Sequence, residues 1–334
     1  MTTAVDASRR ATVGRPGPLP RAWGTARTVL RVHRAALVVW AGLVVVLCGW
    51  LVWATEAAGR DARAAAEVCD RMGQDLCDSA IDWVGHSSSV DWIGLLTSYL
   101  FIAVAAYAGG ALIGRELESG TARFAWAQGV SPTRWLAAKL AVPALVVTVG
   151  ATALVLVYRW AWSATQDPQY HGWMSDDAYL SCGPATVAYA LCALAVGAVT
   201  ALLIRRALPA LAVSVVATGL LGYLVAQCRA SFWPAVTITA SPEELDHPAS
   251  AWVVESGAIV HGRHVRDLDV TRCYGGSTAR TQGCLDDLGV QGSYLTYHPE
   301  SHYWPLHLVE TGIVLAVTAA VTAAAFWLLR RRTA

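Results

Sequence analysis

The chain has 334 residues, of which 55% are hydrophobic and only 15% charged, with 15 tryptophans and a formal net charge of +1. Mean hydropathy is +0.42. Soluble domains carry about 25% charged residues, so the composition argues against a soluble enzyme, a disordered protein or a small secreted disulfide domain. The near-zero net charge says nothing about partners, because charge is segregated along the chain, and nothing in it calls for nucleic acid.

Residues 1–34 are rich in Pro, Gly, Thr and Arg and read as a cytoplasmic tail. Within them, residues 20–34 have the pattern of an interfacial helix. Trp23, Val29 and Leu30 would face lipid, while Arg27, Arg31 and Arg34 face phosphates. A plain basic flank to the first span is the equal alternative.

A membrane helix needs about 20 apolar residues to cross the ~30 Å hydrocarbon core. Six windows qualify: 35–55, 92–114, 140–158, 178–204, 207–228 and 304–329. They are continuous apolar runs, unlike the alternating segments of a β-barrel. The expected fold is an all-α integral membrane domain over 35–329. Placing the N-terminus inside puts 16 of the 25 basic residues on the cytoplasmic side, as the positive-inside rule requires. Both termini, including the tail 330–334, are then cytoplasmic. The chain is expected to be multi-pass in a plasma membrane.

The outside then holds an acidic first loop, a short second loop and a third of about 75 residues, 229–303. Six cysteines lie on or beside that face: Cys69, Cys77, Cys182, Cys228, Cys273 and Cys284. An even external set fits a disulfide-permissive compartment. Near neighbours favour Cys69–Cys77 and Cys273–Cys284, leaving Cys182–Cys228. Fifteen pairings exist for six cysteines, and unpaired cysteine also packs as a small hydrophobe. His261 and His264, and His298 and His302 with Glu300 and His307, have ligand-like spacing. Gly262 and Pro299 oppose regular helices there, and no tetrahedral set is completed; no metal is expected.

The loop between the second and third windows is the longest internal inside segment. Ser119-Gly120-Thr121 can end one helix and cap the next. An uncharged stretch over 124–133 is too short to span, and Ser131-Pro132 suits a helix start. A short helix across the cytoplasmic mouth is predicted. An ordinary interfacial loop is the plainer reading of these residues alone. In the second window, Gly110 to Gly114 is a G-x-x-x-G pattern that permits close helix approach, more readily within one subunit than between two.

Lys139 is the only lysine, against 24 arginines. It follows Trp135-Leu136-Ala137-Ala138, not a Gly-rich turn, so the chain has no Walker A motif. No nucleophile elbow or H-E-x-x-H motif appears either, and no enzymatic activity is expected.

Near the start of the last window sits Glu310, the only charge well inside a span. It lies about 9 Å below the interface, counting 1.5 Å per residue from Trp304. Intramembrane charges usually face a bundle interior or aqueous cavity. His307 is three residues away on the same face. Together they would line or gate a pathway, or form a structural pair between spans; the second reading is favoured.

The run Glu118-Ser-Gly-Thr121, Trp126-Ala-Gln-Gly129-Val-Ser, Arg134-Trp135 and Lys139-Leu140 resembles the corresponding loop of type-2 ABC transporter permeases, actinobacterial members in particular. So do Tyr297-His298-Pro299-Glu300-Ser301, Trp304-Pro305 and Glu310-Thr311-Gly312, and the six-span plan. The long, Cys-containing third loop departs from the pattern. The resemblance implies the membrane subunit of an ATP-driven exporter, with a coupling helix between spans 2 and 3. It makes Glu116, Glu118, Gly120 and Thr121 the candidate contacts to a separate cytoplasmic ATPase, which would hold the ATP and Mg. It also implies a second permease copy or paralogue and an exported substrate that the sequence does not identify. The competing readings are a membrane sensor or assembly protein using the external loop, and an ion-coupled transporter using Glu310.

Overall fold

The computed structural model describes residues 27–72, 88–165, 173–241, 250–266, 268, 273 and 278–333. Among them are six helices long and apolar enough to cross a membrane: Arg34–Ala57, Val90–Glu118, Pro132–Ala164, Ala185–Ile204, Ala207–Ser231 and Glu300–Thr333. These are spans 1 to 6 below.

The helices outrun most of the hydropathy windows, span 3 by several residues at each end. The first helix runs unbroken from Arg34 to Met72, through residues assigned above to an acidic loop. The continuation is rich in Ala, the strongest helix former, and Arg60 Nε donates to the Glu56 carbonyl at 3.2 Å. Span 2 continues past Gly114 to Glu118. The fourth window is two helices. Asp176–Ser181, capped by Ser175 accepting from the Ala178 amide, stops before Gly183-Pro184, and span 4 starts at Ala185.

Span 4 is the centre of the bundle. Its buried residues include Ala185, Ala188, Ala190, Ala193, Ala198 and Ala201. Small side chains let neighbouring backbones come close. At Gly197 a Cβ would sit 2.7 Å from the Gly109 amide of span 2. Span 2 is π-helical over Ala108–Gly114. A Cβ on Gly109 would collide with Ser214 of span 5, and one on Gly110 would lie 3.0 Å from Leu211. The G-x-x-x-G segment thus packs inside one chain. Spans 1, 5 and 6 turn most of their apolar surface outward.

Residues 27–32 are helical and lead into span 1. Val29 is buried and Leu30 exposed. The lipid-facing assignment of Val29 is therefore corrected, and Trp23 lies outside the described residues.

The all-α expectation fails in the segment between spans 5 and 6. It contains a four-stranded antiparallel sheet, β1 (Val236–Ala240), β2 (Trp252–Val260), β3 (Arg263–Arg266) and β4 (Val290–His298), in the order β1-β4-β2-β3. Val236 pairs with Tyr297 and Ala240 with Ser293, and Trp252 with His298. The residues are mostly β-branched or aromatic, which suits a half-buried pleat. His261 and Gly262 form the β2–β3 turn with φ of 48° and 74°, the positive-φ pair of a tight hairpin. Helix Thr278–Asp287 covers one side, joined by the Cys273–Cys284 disulfide with a Cα separation of 5.5 Å.

Cys182 and Cys228 carry no disulfide, correcting that pairing. Cys182 is buried beside spans 1 to 3, whereas Cys228 is exposed at the end of span 5. The Cys69–Cys77 pairing lies outside the described residues.

Candidate functional site

Four contacts gather the loops at one end of the bundle. Glu118 Oε2 accepts from the Ala207 amide at 2.9 Å, capping the N-terminus of span 5, where an anion is favoured. Arg332 donates to the Leu202 carbonyl at the end of span 4. Lys139 Nζ donates to Glu116 Oε1 at 2.5 Å, and His33 Nε2 accepts from Lys139 at 2.6 Å. The flank of span 1, the loop between spans 2 and 3, the turn between spans 4 and 5 and the C-terminal end therefore share one side.

The loop itself is a helix–turn–helix. Gly120 has φ of +78° and separates the end of span 2 from a short helix, Thr121–Ala127. The short helix lies a few residues earlier than the predicted 124–133 stretch. Gly129, with φ of +90°, turns the chain again, and Pro132 opens span 3. Ala122 is the buried anchor of the short helix. Thr121, Arg123, Phe124, Ala127 and Gln128 are exposed, Phe124 at 67%.

Glu116 is the hub beneath this helix. Its backbone carbonyl accepts from Thr121 Oγ1 at 3.3 Å, and its Oε2 accepts from Trp135 Nε1 at 3.3 Å. His33 closes the group. Because Lys139 donates to Nε2, the Nδ1 proton goes to the Tyr107 hydroxyl, 3.0 Å away. Burial lowers the His33 pKa, the Lys139 ammonium lowers it further, and Glu116 opposes them, so the neutral ring is favoured. Of the four residues named for the ATPase contact, Gly120 and Thr121 lie on the outward turn. Glu116 and Glu118 bond back into the bundle instead.

At the other end, Glu310 is fully buried and closes on Arg229, itself 3% exposed. Arg229 Nε donates to Glu310 Oε2 at 2.9 Å, and the Tyr189 hydroxyl donates to Oε1 at 2.8 Å. The guanidinium lies 4.3 Å over the Tyr179 ring. His307 does not pair with Glu310. Its Nε2 donates to the Tyr179 carbonyl at 2.8 Å, and its ring stacks on Tyr179 at 4.5 Å. Gly183 leaves the room; a Cβ there would collide with the imidazole.

Above this pair Trp173, Tyr179, Trp252 and Tyr303 pack ring against ring, with centroids 5.7 to 6.5 Å apart. The sheet is moored here. Trp173 Nε1 donates to the Ser250 carbonyl at 2.8 Å, and His298 Nε2 donates to the Ala230 carbonyl at 3.0 Å. His298 and His302 face each other through their Nδ1 atoms, 3.0 Å apart. His261 sits in the hairpin turn, while His264 stacks on Tyr294 at 4.0 Å. Among the described residues no three His, Cys, Asp or Glu side chains converge as metal ligands.

Sequence reasoning missed Arg229, which stood only as the first residue of the third outside loop. It also missed His33, Trp135 and Lys139 as partners of Glu116. The only signal was that each sits at a span boundary.

Comparison with known proteins matches residues 41–229 to the family model described as "ABC-2 membrane transporter related". Searches of curated proteins and of solved structures find no match. The matched stretch is more than half of the chain. It takes in spans 2 to 4 and most of spans 1 and 5, with the short helix, Glu116, Lys139 and Arg229. The chain belongs to the ABC-2 membrane transporter related family and is a membrane-spanning permease of the ABC transporter type.

Proposed function

We propose that the chain is the permease subunit of an ATP-driven exporter, and that the exposed helix Thr121–Ala127 seats in a groove of a separate cytoplasmic ATPase. One observation carries the reading: within the family-matched region, a short helix stands at the loop end of the bundle with Phe124 two-thirds exposed. A large aromatic offered to solvent suits a pocket on a partner. The same end collects the basic segments that the positive-inside rule assigns to the cytoplasm. The sheet would then be extracytoplasmic, where the Cys273–Cys284 bridge is at home. A second permease copy or paralogue would complete the pathway, because spans 1, 5 and 6 leave apolar faces uncovered.

The chain's own part is conformational. ATP binding draws two ATPases together, the short helices follow, and the bundle shifts between two states of different substrate affinity. The ion-coupled alternative loses its main support, since the Glu310 carboxylate is occupied by Arg229 and Tyr189. A photo-crosslinking amino acid at Phe124 tests the reading in native membranes. Capture of a P-loop ATPase there, and not from the outward-facing Val216 of span 5, is expected. Capture of no soluble protein at Phe124 contradicts it.

A further inference from the structure

We infer that Lys139, with Glu116, Trp135 and His33, forms a transmission clasp that carries movement of the short helix into span 1. The inference rests on the permease reading and adds to it the residues through which the motion passes. Glu116 lies one turn before the short helix and is tied to it through Thr121. Its carboxylate holds Lys139 and Trp135 of span 3. Trp135 in turn meets Trp126 on the inner face of the short helix, edge to face at 5.7 Å. Lys139 then hands the connection to His33 at the root of span 1, and His33 to Tyr107 of span 2.

Open space flanks this connection on both sides. A crevice of about 210 Å³ separates Thr28, Val29 and Val32 from Thr121, Ala125 and Val130. The short helix therefore does not pack tightly against the flank of span 1, and Lys139 and Glu116 bridge the gap at its edge. On the far side of His33 an apolar cavity of about 230 Å³ lies among spans 1 to 4, lined by Trp40, Tyr107, Pro143 and Leu194. Span 1 has room to move into it. The Trp126 Nε1 donor is buried with no partner, so the present seating of the short helix leaves a hydrogen bond unmade. An unsatisfied buried donor is costly, which weakens the present seating. A contact held weakly suits a coupling element, which needs two arrangements. Lys139 acts here through other groups and is a positioning residue.

The test is hydrogen–deuterium exchange on the full permease–ATPase complex, without nucleotide and trapped with ATP and vanadate. In the wild type, exchange is expected to change over 115–130 and over 27–40. Lys139→Met should keep the ATPase bound and keep the change over 115–130, yet lose it over 27–40. Lys139→Arg, which retains the charge, should restore it. Glu116→Gln is the second variant should Lys139→Met fail to fold, with the same loss expected. An unchanged response over 27–40 in Lys139→Met or Glu116→Gln overturns the inference. Loss over both segments with the ATPase still bound also overturns it, because the clasp would then be only a prop. Absence of any ATPase from the wild-type complex is a different result: it defeats the permease reading itself.

Discussion

Arg229 decides how Glu310 is understood. A lone carboxylate in a span invites a transport role. Paired with a guanidinium that is 3% exposed, it becomes part of the scaffold. Breaking a buried pair by removing one partner costs about 3–5 kcal/mol, whereas replacing both by apolar groups is often close to neutral. Arg229→Leu alone should therefore markedly lower the unfolding temperature in detergent. Arg229→Leu with Glu310→Leu should recover most of the loss, and the Tyr189 hydroxyl would account for a residual deficit. A double variant as unstable as the single one would contradict the structural assignment. This pair was only half legible in the sequence. Glu310 stood out as a charge inside an apolar run, but its partner is 81 residues away in the chain. Three-residue spacing pointed to His307 instead, whose ring is taken by Tyr179.

At the scale of elements, the turn around Gly120 sets the angle of the short helix. Its φ of +78° is a left-handed conformation, and no atom lies within 4 Å of where a Cβ would be. The cost of Gly120→Ala is therefore conformational, about 1–2 kcal/mol. Gly120→Asn should cost less, since Asn tolerates this region. Faster amide exchange over 121–127 in Gly120→Ala than in Gly120→Asn would show it; equal exchange would mean that the turn adapts freely. The break, the short helix and the Pro132 start were all readable, because Gly, Ser, Thr and Pro act through local backbone chemistry. Span existence was readable from run length. Span ends were less so, because helices such as Arg34–Met72 continue beyond the apolar stretch on Ala propensity. The sheet was missed because each strand is short and its pairing is non-local; Val236 finds its partner at Tyr297.

In the whole molecule, the spans and the sheet meet at a seam of aromatic rings and histidines. His298 is held below its ordinary pKa chiefly by burial, with the neighbouring His302 lowering it and its bond to Ala230 opposing. A depressed histidine favours the folded state at pH above the ordinary value of about 6.5. That contribution is lost as pH falls from there through the folded-state pKa, since the unfolded chain then binds the extra proton. Trp252 lies 5.4 Å from His298, so tryptophan fluorescence reports on the seam. The melting temperature should be lower at pH 5.5 than at pH 7.5, and His298→Gln should shrink the difference. A pH-independent melt would contradict this account of the seam.

On the proposed function, an ATPase moves this bundle through its short helix. Purification of the tagged chain from its native membrane in mild detergent, with identification of what accompanies it, tests that claim most directly. A P-loop ATPase in stoichiometric amount is expected, retained with the Arg229→Leu, Glu310→Leu double variant and lost with Phe124→Asp. A chain that purifies alone even after mild crosslinking, or an ATPase that stays bound to Phe124→Asp, would contradict it.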